Sequence, residues 1–204
     1  GIYKTNNRHL GGSAFFTTNI KDVFISARYS QQAFGDYRVP ATNFTYNGFT
    51  LPIIDNQLKN TAGKERNLHL STGLFKTNSI TRINYSHYRL EAGLFSGAVG
   101  IPRSYGLQPD GNLRDIDVPS QLVDHYKWSV NQTFILGQDH LNINLGWQRN
   151  FRREFSFPEF HSIPSSLIDP NNTLALSLFL ETFSANAHYE HKGNNDWKTT
   201  YGLS

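Results

Sequence analysis

The chain has 204 residues, with 19 Lys+Arg against 16 Asp+Glu, a formal net charge of +3 and a sequence pI of about 9.1. So even a balance argues against nucleic acid as partner, since the densest basic spot is only Arg149-Asn150-Phe151-Arg152-Arg153. The absence of cysteine excludes a disulfide framework and a thiolate metal site; no uninterrupted apolar run approaches the ~20 residues of a membrane-spanning helix.

Taken in chain order, the sequence predicts about eight strands. Gly11 to Thr18, rich in Phe and Thr, leads into a tight turn at Asn19-Ile20-Lys21-Asp22. Val23 to Ser30 alternates: Val23, Ile25, Ala27 and Tyr29 oppose Phe24, Ser26, Arg28 and Ser30, the period of a strand with one apolar face. A long loop follows, roughly Gln31 to Glu65. Asn67 to Lys76 sets Leu68, Leu70 and Leu74 against Asn67, His69 and Ser71 and turns at Asn78-Ser79. Ile80 to Leu94 opposes Ile83 and Tyr85 to Arg82, Asn84 and Ser86, with a bulge expected near Tyr88-Arg89-Leu90 where the phase blurs. A second long loop spans Phe95 to Ser120.

Leu122 to Leu136 carries Tyr126, Trp128, Val130 and Phe134 on one face and His125, Lys127, Ser129, Asn131 and Thr133 on the other. After Gly137-Gln138-Asp139, Leu141, Ile143, Leu145 and Trp147 alternate with Asn142, Asn144, Gly146 and Gln148. A third long loop spans Ser156 to Asn172. Leu174 to His191 changes phase between Leu180 and Phe183, which predicts either a bulge near Glu181-Thr182 or a strand that projects above a membrane. Following Gly193-Asn194-Asn195-Asp196, Trp197, Thr199, Tyr201 and Leu203 open a last strand.

Tight turns therefore alternate with long loops, so one end of the sheet is trimmed and the other elaborated. Transmembrane β-barrels have short periplasmic turns and long extracellular loops. Mean hydropathy of -0.49 does not exclude this class, because only every second strand residue faces lipid. Arg28, His125, Lys127 and Asn144 fall on the polar face and are expected to face a wet lumen or a plug. Phe15, Phe16, Tyr29, Tyr126, Trp147, Tyr189 and Trp197 gather toward strand ends as an aromatic girdle. The start at Gly1, without an initiator or signal region, and the stop within a strand predict an internal piece of a longer protein.

Several stretches carry a family resemblance: Phe34-Gly35-Asp36-Tyr37-Arg38-Val39-Pro40; Leu58 to Gly63 with Glu91 to Gly97; and Gln121 to His125 through Trp147 to Phe155. The last holds an aromatic-Gln-x-Asn-x-Arg-x-Glu-Phe strand exit. Together they resemble the barrel of TonB-dependent outer-membrane receptors, particularly of the Bacteroidetes type. The resemblance implies an all-β fold, an antiparallel transmembrane β-barrel segment of about eight strands from a 22-stranded barrel. Residues 1–204 would form part of one barrel domain, with the plug and the barrel-closing strands not in this chain. It implies transport of a bulky nutrient, a ferric siderophore or haem, across the outer membrane of a Gram-negative bacterium. A TonB-type energy-transducing protein would act through the missing plug. The remaining partners are outer-membrane lipid, lipopolysaccharide and the rest of the barrel. No catalytic group, cofactor or metal is expected.

Enzyme readings find no nucleophile elbow, phosphate-binding glycine loop or metal-spaced cluster in the sequence. His188 and His191 fall on opposite faces of a strand, and His188 with Glu190 reads as a solvated pair. Ligand contact is expected in the outer loops, from Arg103, Tyr105, Arg114, Phe157, Phe160 and His161, because arginine beside aromatics suits an anionic iron chelate. Arg149, Arg152 and Arg153, at the loop-side strand exit, are expected to pair with lipopolysaccharide phosphates. Two alternatives stand beside this reading: a porin or structural outer-membrane protein, whose loops are usually shorter, and a soluble carbohydrate-binding β-sandwich, which closes its own fold.

Overall fold

Long stretches of period-two alternation separated by two-residue turns favour an antiparallel meander, and that is what forms. The structure, a computed structural model, describes residues 1–4, 6–46, 48–96, 110–157, 173–193 and 197–204. Its strands are β1 (Ile2–Lys4), β2 (His9–Ile20), β3 (Val23–Phe34), β4 (Tyr37–Arg38), β5 (Asn43–Tyr46), β6 (Phe49–Pro52), β7 (Gln57–Leu58), β8 (Gly63–Lys76), β9 (Ser79–Gly93), β10 (Ser120–Leu136), β11 (Asp139–Phe155), β12 (Leu174–Lys192) and β13 (Lys198–Leu203). Nine of them form one sheet in the order β1-β2-β3-β8-β9-β10-β11-β12-β13, each antiparallel to the next. The chain is thus all-β with a large antiparallel sheet, one strand more than the sequence predicts in that sheet.

The hairpins β2–β3, β8–β9 and β10–β11 turn on two residues each, Lys21-Asp22, Thr77-Asn78 and Gly137-Gln138. Lys21 (φ 53) and Gly137 (φ 70) take the left-handed conformation that such tight reversals need. All three turns lie at one end. At the other end lie the described parts of the connections that follow β3, β9 and β11, residues 35–46, 48–62, 94–96, 110–119, 156–157 and 173, together with the short β1–β2 connection. The first span is shorter than the sequence suggests and has structure of its own. Its roots up to Phe34 and from Gly63 belong to β3 and β8, and inside it β4 pairs with β7 and β5 with β6.

Register gives the faces. In β3, β8, β9, β10 and β11 the apolar set foreseen from alternation lies on one side and the polar set on the other. One row across the apolar face runs Phe16, Ala27, Leu70, Tyr85, Trp128, Trp147, Phe183. On the polar face, directly behind, runs Thr17, Ser26, Ser71, Asn84, Ser129, Gly146, Ser184. Two predicted bulges are absent. Pairing of β9 runs unbroken through Tyr88, Arg89 and Leu90, and β12 is in register through Glu181 and Thr182. The only shift in β12 comes at its start, where Leu176 and Leu174 are opposite Glu154 and Phe155. The phase change in β12 has another cause: near the loop end both of its faces are apolar, with Leu176, Leu178 and Leu180 on the polar side of the sheet and Phe179 on the other.

Among the described residues nothing covers either face. Among the described residues only Ala62 and Ala92 are buried hydrophobics, and no second sheet packs across the large one. The chain exposes 13683 Å², whereas a compact monomer of its 23.2 kDa would expose about 9,700 Å². No closed barrel is seen among the described residues: β2 from Gly12 to Ile20 and β12 from Leu176 to Asn186 each pair on one side only there. No described helix is long and apolar enough to cross a membrane, which says nothing of strands.

Candidate functional site

The end bearing the long spans is organised by two buried side chains. Asn60, at φ 61, turns the chain just before β8. Its Nδ2 donates to the carbonyls of Pro119 (2.7 Å) and Leu94 (3.1 Å), and its Oδ1 accepts from the Asp117 amide (2.9 Å). Gly93 has no side chain because Asn60 occupies that space; a Cβ there would collide with it. Asp36 Oδ1 accepts from the amides of Thr61 (2.7 Å) and Ala62 (3.1 Å), while its own amide donates to the Leu113 carbonyl at 2.8 Å. Burial pushes the Asp36 carboxyl up, although these amides oppose the shift. The span after β3 and the span before β10 are thus stitched together at their roots.

Lys59 adds an ionic tie. Its Nζ lies 2.7 Å from Asp110 and 3.8 Å from Asp117. The ammonium holds Asp110 down at about 2, whereas burial first, then the hydrogen bond and repulsion from Asp110, pushes Asp115 up to about 6. The oxygens of Asp110, Asp115 and Asp117 lie within 4.8 Å of one another. The lysine already in place accounts for the grouping.

Of the ligand-contact residues expected from sequence, Arg103, Tyr105, Phe160 and His161 lie outside the described residues. Arg114 is placed at the loop end, with its guanidinium donating to the Arg8 carbonyl, so part of its hydrogen-bonding capacity holds the β1–β2 connection. Phe157 follows β11 and is 39% exposed. These two are the expected contact residues that the described loop end displays.

Arg28, His125, Lys127 and Asn144 share the polar face. Arg28 stacks over Phe15, 5.1 Å from the ring centroid, so Phe15 belongs to this face and not to an outer girdle. A ladder of short polar side chains crosses five strands here: Ser71 donates to Asn84 (2.7 Å), Asn84 to Asn131 (3.4 Å), Asn131 to Asn144 (2.6 Å) and Asn144 to Asn186 (2.8 Å). Single-residue alternation in the sequence places each of these residues but does not show that they connect. Seeing that requires the register.

The three loop-side arginines do not act as one group. Arg149 and Arg153 lie on the apolar face, but Arg152 lies on the polar face, opposite Val123, and pairs with Glu154 at 2.6 Å. Period two separates it from its neighbours, which corrects the expectation that all three meet lipopolysaccharide. On the apolar face, Asp124 is 6% exposed and is shared by His87 (3.3 Å), Arg89 (3.6 Å) and Arg153 (3.6 Å). Beside it, His87 stacks on Tyr126 at 4.2 Å. Between the row that carries His87, Tyr126, Arg149 and Glu181 and the row that carries Leu141 and Tyr189 lie about seven residues of each central strand, with no charged side chain on the apolar face.

His188 and His191 occupy opposite faces; His188 lies 3.9 Å from Glu190, which is itself 2.6 Å from Lys198. Searches of protein-family models, curated proteins and solved structures found nothing that matches this chain.

Proposed function

We propose that the chain is a stretch of wall from a TonB-dependent outer-membrane transporter that imports a bulky nutrient, a ferric siderophore or haem. One observation carries the membrane part of this reading: a single-layer sheet whose apolar face is uncovered from one aromatic row to the next. In water that face would have to be buried; in a bilayer it is the solvated surface, and the polar face is the lumen. Two unpaired edges call for further strands on both sides, as in a 22-stranded barrel. The stitched loop end supports a ligand platform above the lumen, with Arg114 and Phe157 at its margin. Arg28, His125, Lys127 and Asn144 line the lumen, where a plug supplied by other segments would sit. The outer leaflet meets Arg149 and Arg153.

The test has two stages. Full-length protein from outer membranes should need detergent and show heat-modifiable gel migration; a species that stays soluble without detergent sinks the membrane reading and revives the β-sandwich. Cells should then take up a radiolabelled ferric chelate only while the inner-membrane proton gradient is intact. Uptake that survives collapse of the gradient would assign the barrel to the passive porins.

A further inference from the structure

Trp128, Val130, Leu145, Trp147, Phe183 and Ala185 line an open hollow of about 470 Å³ on the apolar face. It exists because large rings in one row stand over smaller side chains in the next: Phe183 is 76% exposed beside Ala185, whose methyl leaves the floor low. The next residue of β11 on the same face, toward the loop end, is Arg149, about 7 Å along the strand from Trp147. Its guanidinium lies between two rings, 5.4 Å from Tyr126 and 5.7 Å from Phe179. Its cross-strand neighbour Glu181 is engaged instead by the Trp147 indole N–H at 2.6 Å. Arg153, four residues on and 4.9 Å over Phe151, shares the carboxylate of Asp124 with His87 and with Arg89, which Glu91 also holds at 3.0 Å. The Nε atoms of both Arg149 and Arg153 are buried without an acceptor.

We propose that the hollow and Arg149, with Arg153 beside it, form a binding site for a phosphate-bearing lipid. The hydrocarbon chain lies among Trp128, Trp147 and Phe183, and the headgroup phosphate sits on the Arg149 guanidinium. The spacing suits a glycerol link between a phosphate and the first methylenes of a chain. Guanidinium and phosphate match in planar, bidentate geometry. Aromatic walls hold the guanidinium in place and exclude water, which strengthens the contact. A neutral lipid would fill the hollow but leave the cationic excess of the rim unmatched. The proposal rests on the membrane reading above.

The test uses the full-length protein in maltoside micelles, exposed to dioleoyl phosphatidic acid or to dioleoylglycerol, with retained lipid counted by native mass spectrometry. Phosphatidic acid should be retained about tenfold more than the phosphate-free lipid, the scale of a charge-assisted hydrogen bond. Arg149→Gln should erase that preference. Ala185→Trp, which fills the hollow, should reduce retention of both lipids. Arg152→Gln, on the opposite face, should change nothing, and heat-modifiable migration confirms that each variant is folded. Equal retention of the two lipids, or a preference that survives Arg149→Gln, overturns the site while leaving the membrane reading in place. A protein that is soluble without detergent and retains neither lipid overturns both.

Discussion

The two faces of the central sheet share a backbone, a register and a set of hydrogen bonds, and differ only in what alternate residues carry. On one face Leu145 stands between Val130 and Ala185; one residue earlier, on the other face, Asn144 donates to Asn186 and accepts from Asn131. In a soluble sheet one such face would be a core and its side chains would be inaccessible. Here Leu145 is 49% exposed and Trp128 is 47% exposed. The lesson is that burial does not mark the apolar face of this molecule; continuity across strands does. The apolar row from Phe16 to Phe183 crosses seven strands without a charge, and the polar row behind it crosses the same seven without a large apolar side chain.

The most forceful way to break this symmetry is to put the same charge on each face in turn. In phospholipid vesicles Leu145→Arg should destabilise the folded protein by about 2–4 kcal/mol, the cost of an arginine near the bilayer midplane. On the proposed membrane reading, Asn144→Arg should cost under about 1 kcal/mol, because an arginine on the lumen side would keep its water. Urea titration of vesicle-reconstituted protein, read by gel migration, measures both. Equal costs at the two positions would mean that lipid does not touch the Leu145 face.

Much of this contrast was legible in the sequence. Val23 to Ser30 and Leu141 to Gln148 alternate so cleanly that their faces could be assigned without coordinates. Elsewhere alternation stops being informative. In β12, Leu178, Phe179 and Leu180 are apolar on both sides, so a change in which set looks hydrophobic reads in the sequence like a bulge. Near Tyr88 the same ambiguity arose because Leu90 faces Val123 on the polar side of the sheet. Arg149, Arg152 and Arg153 stand close in sequence, but one residue of offset sends Arg152 to the other face. The loop-end stitching was not legible at all. Asn60 reads as an ordinary loop asparagine, and its partners Leu94, Asp117 and Pro119 are remote in sequence.

That stitching sharpens the second contrast in the molecule, between the bare turns at one end and the tied loops at the other. Asn60→Ala should cost about 2 kcal/mol locally, since it leaves the buried Pro119 carbonyl and the Asp117 amide without their partner. The expected signature is protease cleavage within 35–62 or 110–119 while the sheet stays folded. Asn60→Gly, which keeps the left-handed backbone but loses the same bonds, should be cut similarly. If both variants resist cleavage as well as wild type, the two loop roots are held by something other than Asn60.

The smallest expected effect separates the two ionic states of the loop tie. Asp110 is held at about 2 by Lys59, so their pair is present above the ordinary carboxylate range and fails only as pH falls from about 4 toward 2. Asp115 moves in the opposite direction. With its carboxyl raised to about 6, the folded loop binds a proton that the unfolded loop has already released. Stability of this corner must therefore fall as pH rises from about 4 to 6, as Asp115 ionises beside Asp110 and Asp117. Between pH 5 and pH 7, hydrogen exchange of the amides at 110–117, corrected for intrinsic rates, should speed up by a few-fold, a modest effect because water screens these half-exposed groups. Asp115→Asn, which mimics the protonated acid, should flatten that dependence and leave the acid-side loss below pH 4 unchanged. A pH dependence that persists in Asp115→Asn would assign it to another group, and Asp36, also raised by burial at the neighbouring root, would be the next residue to substitute.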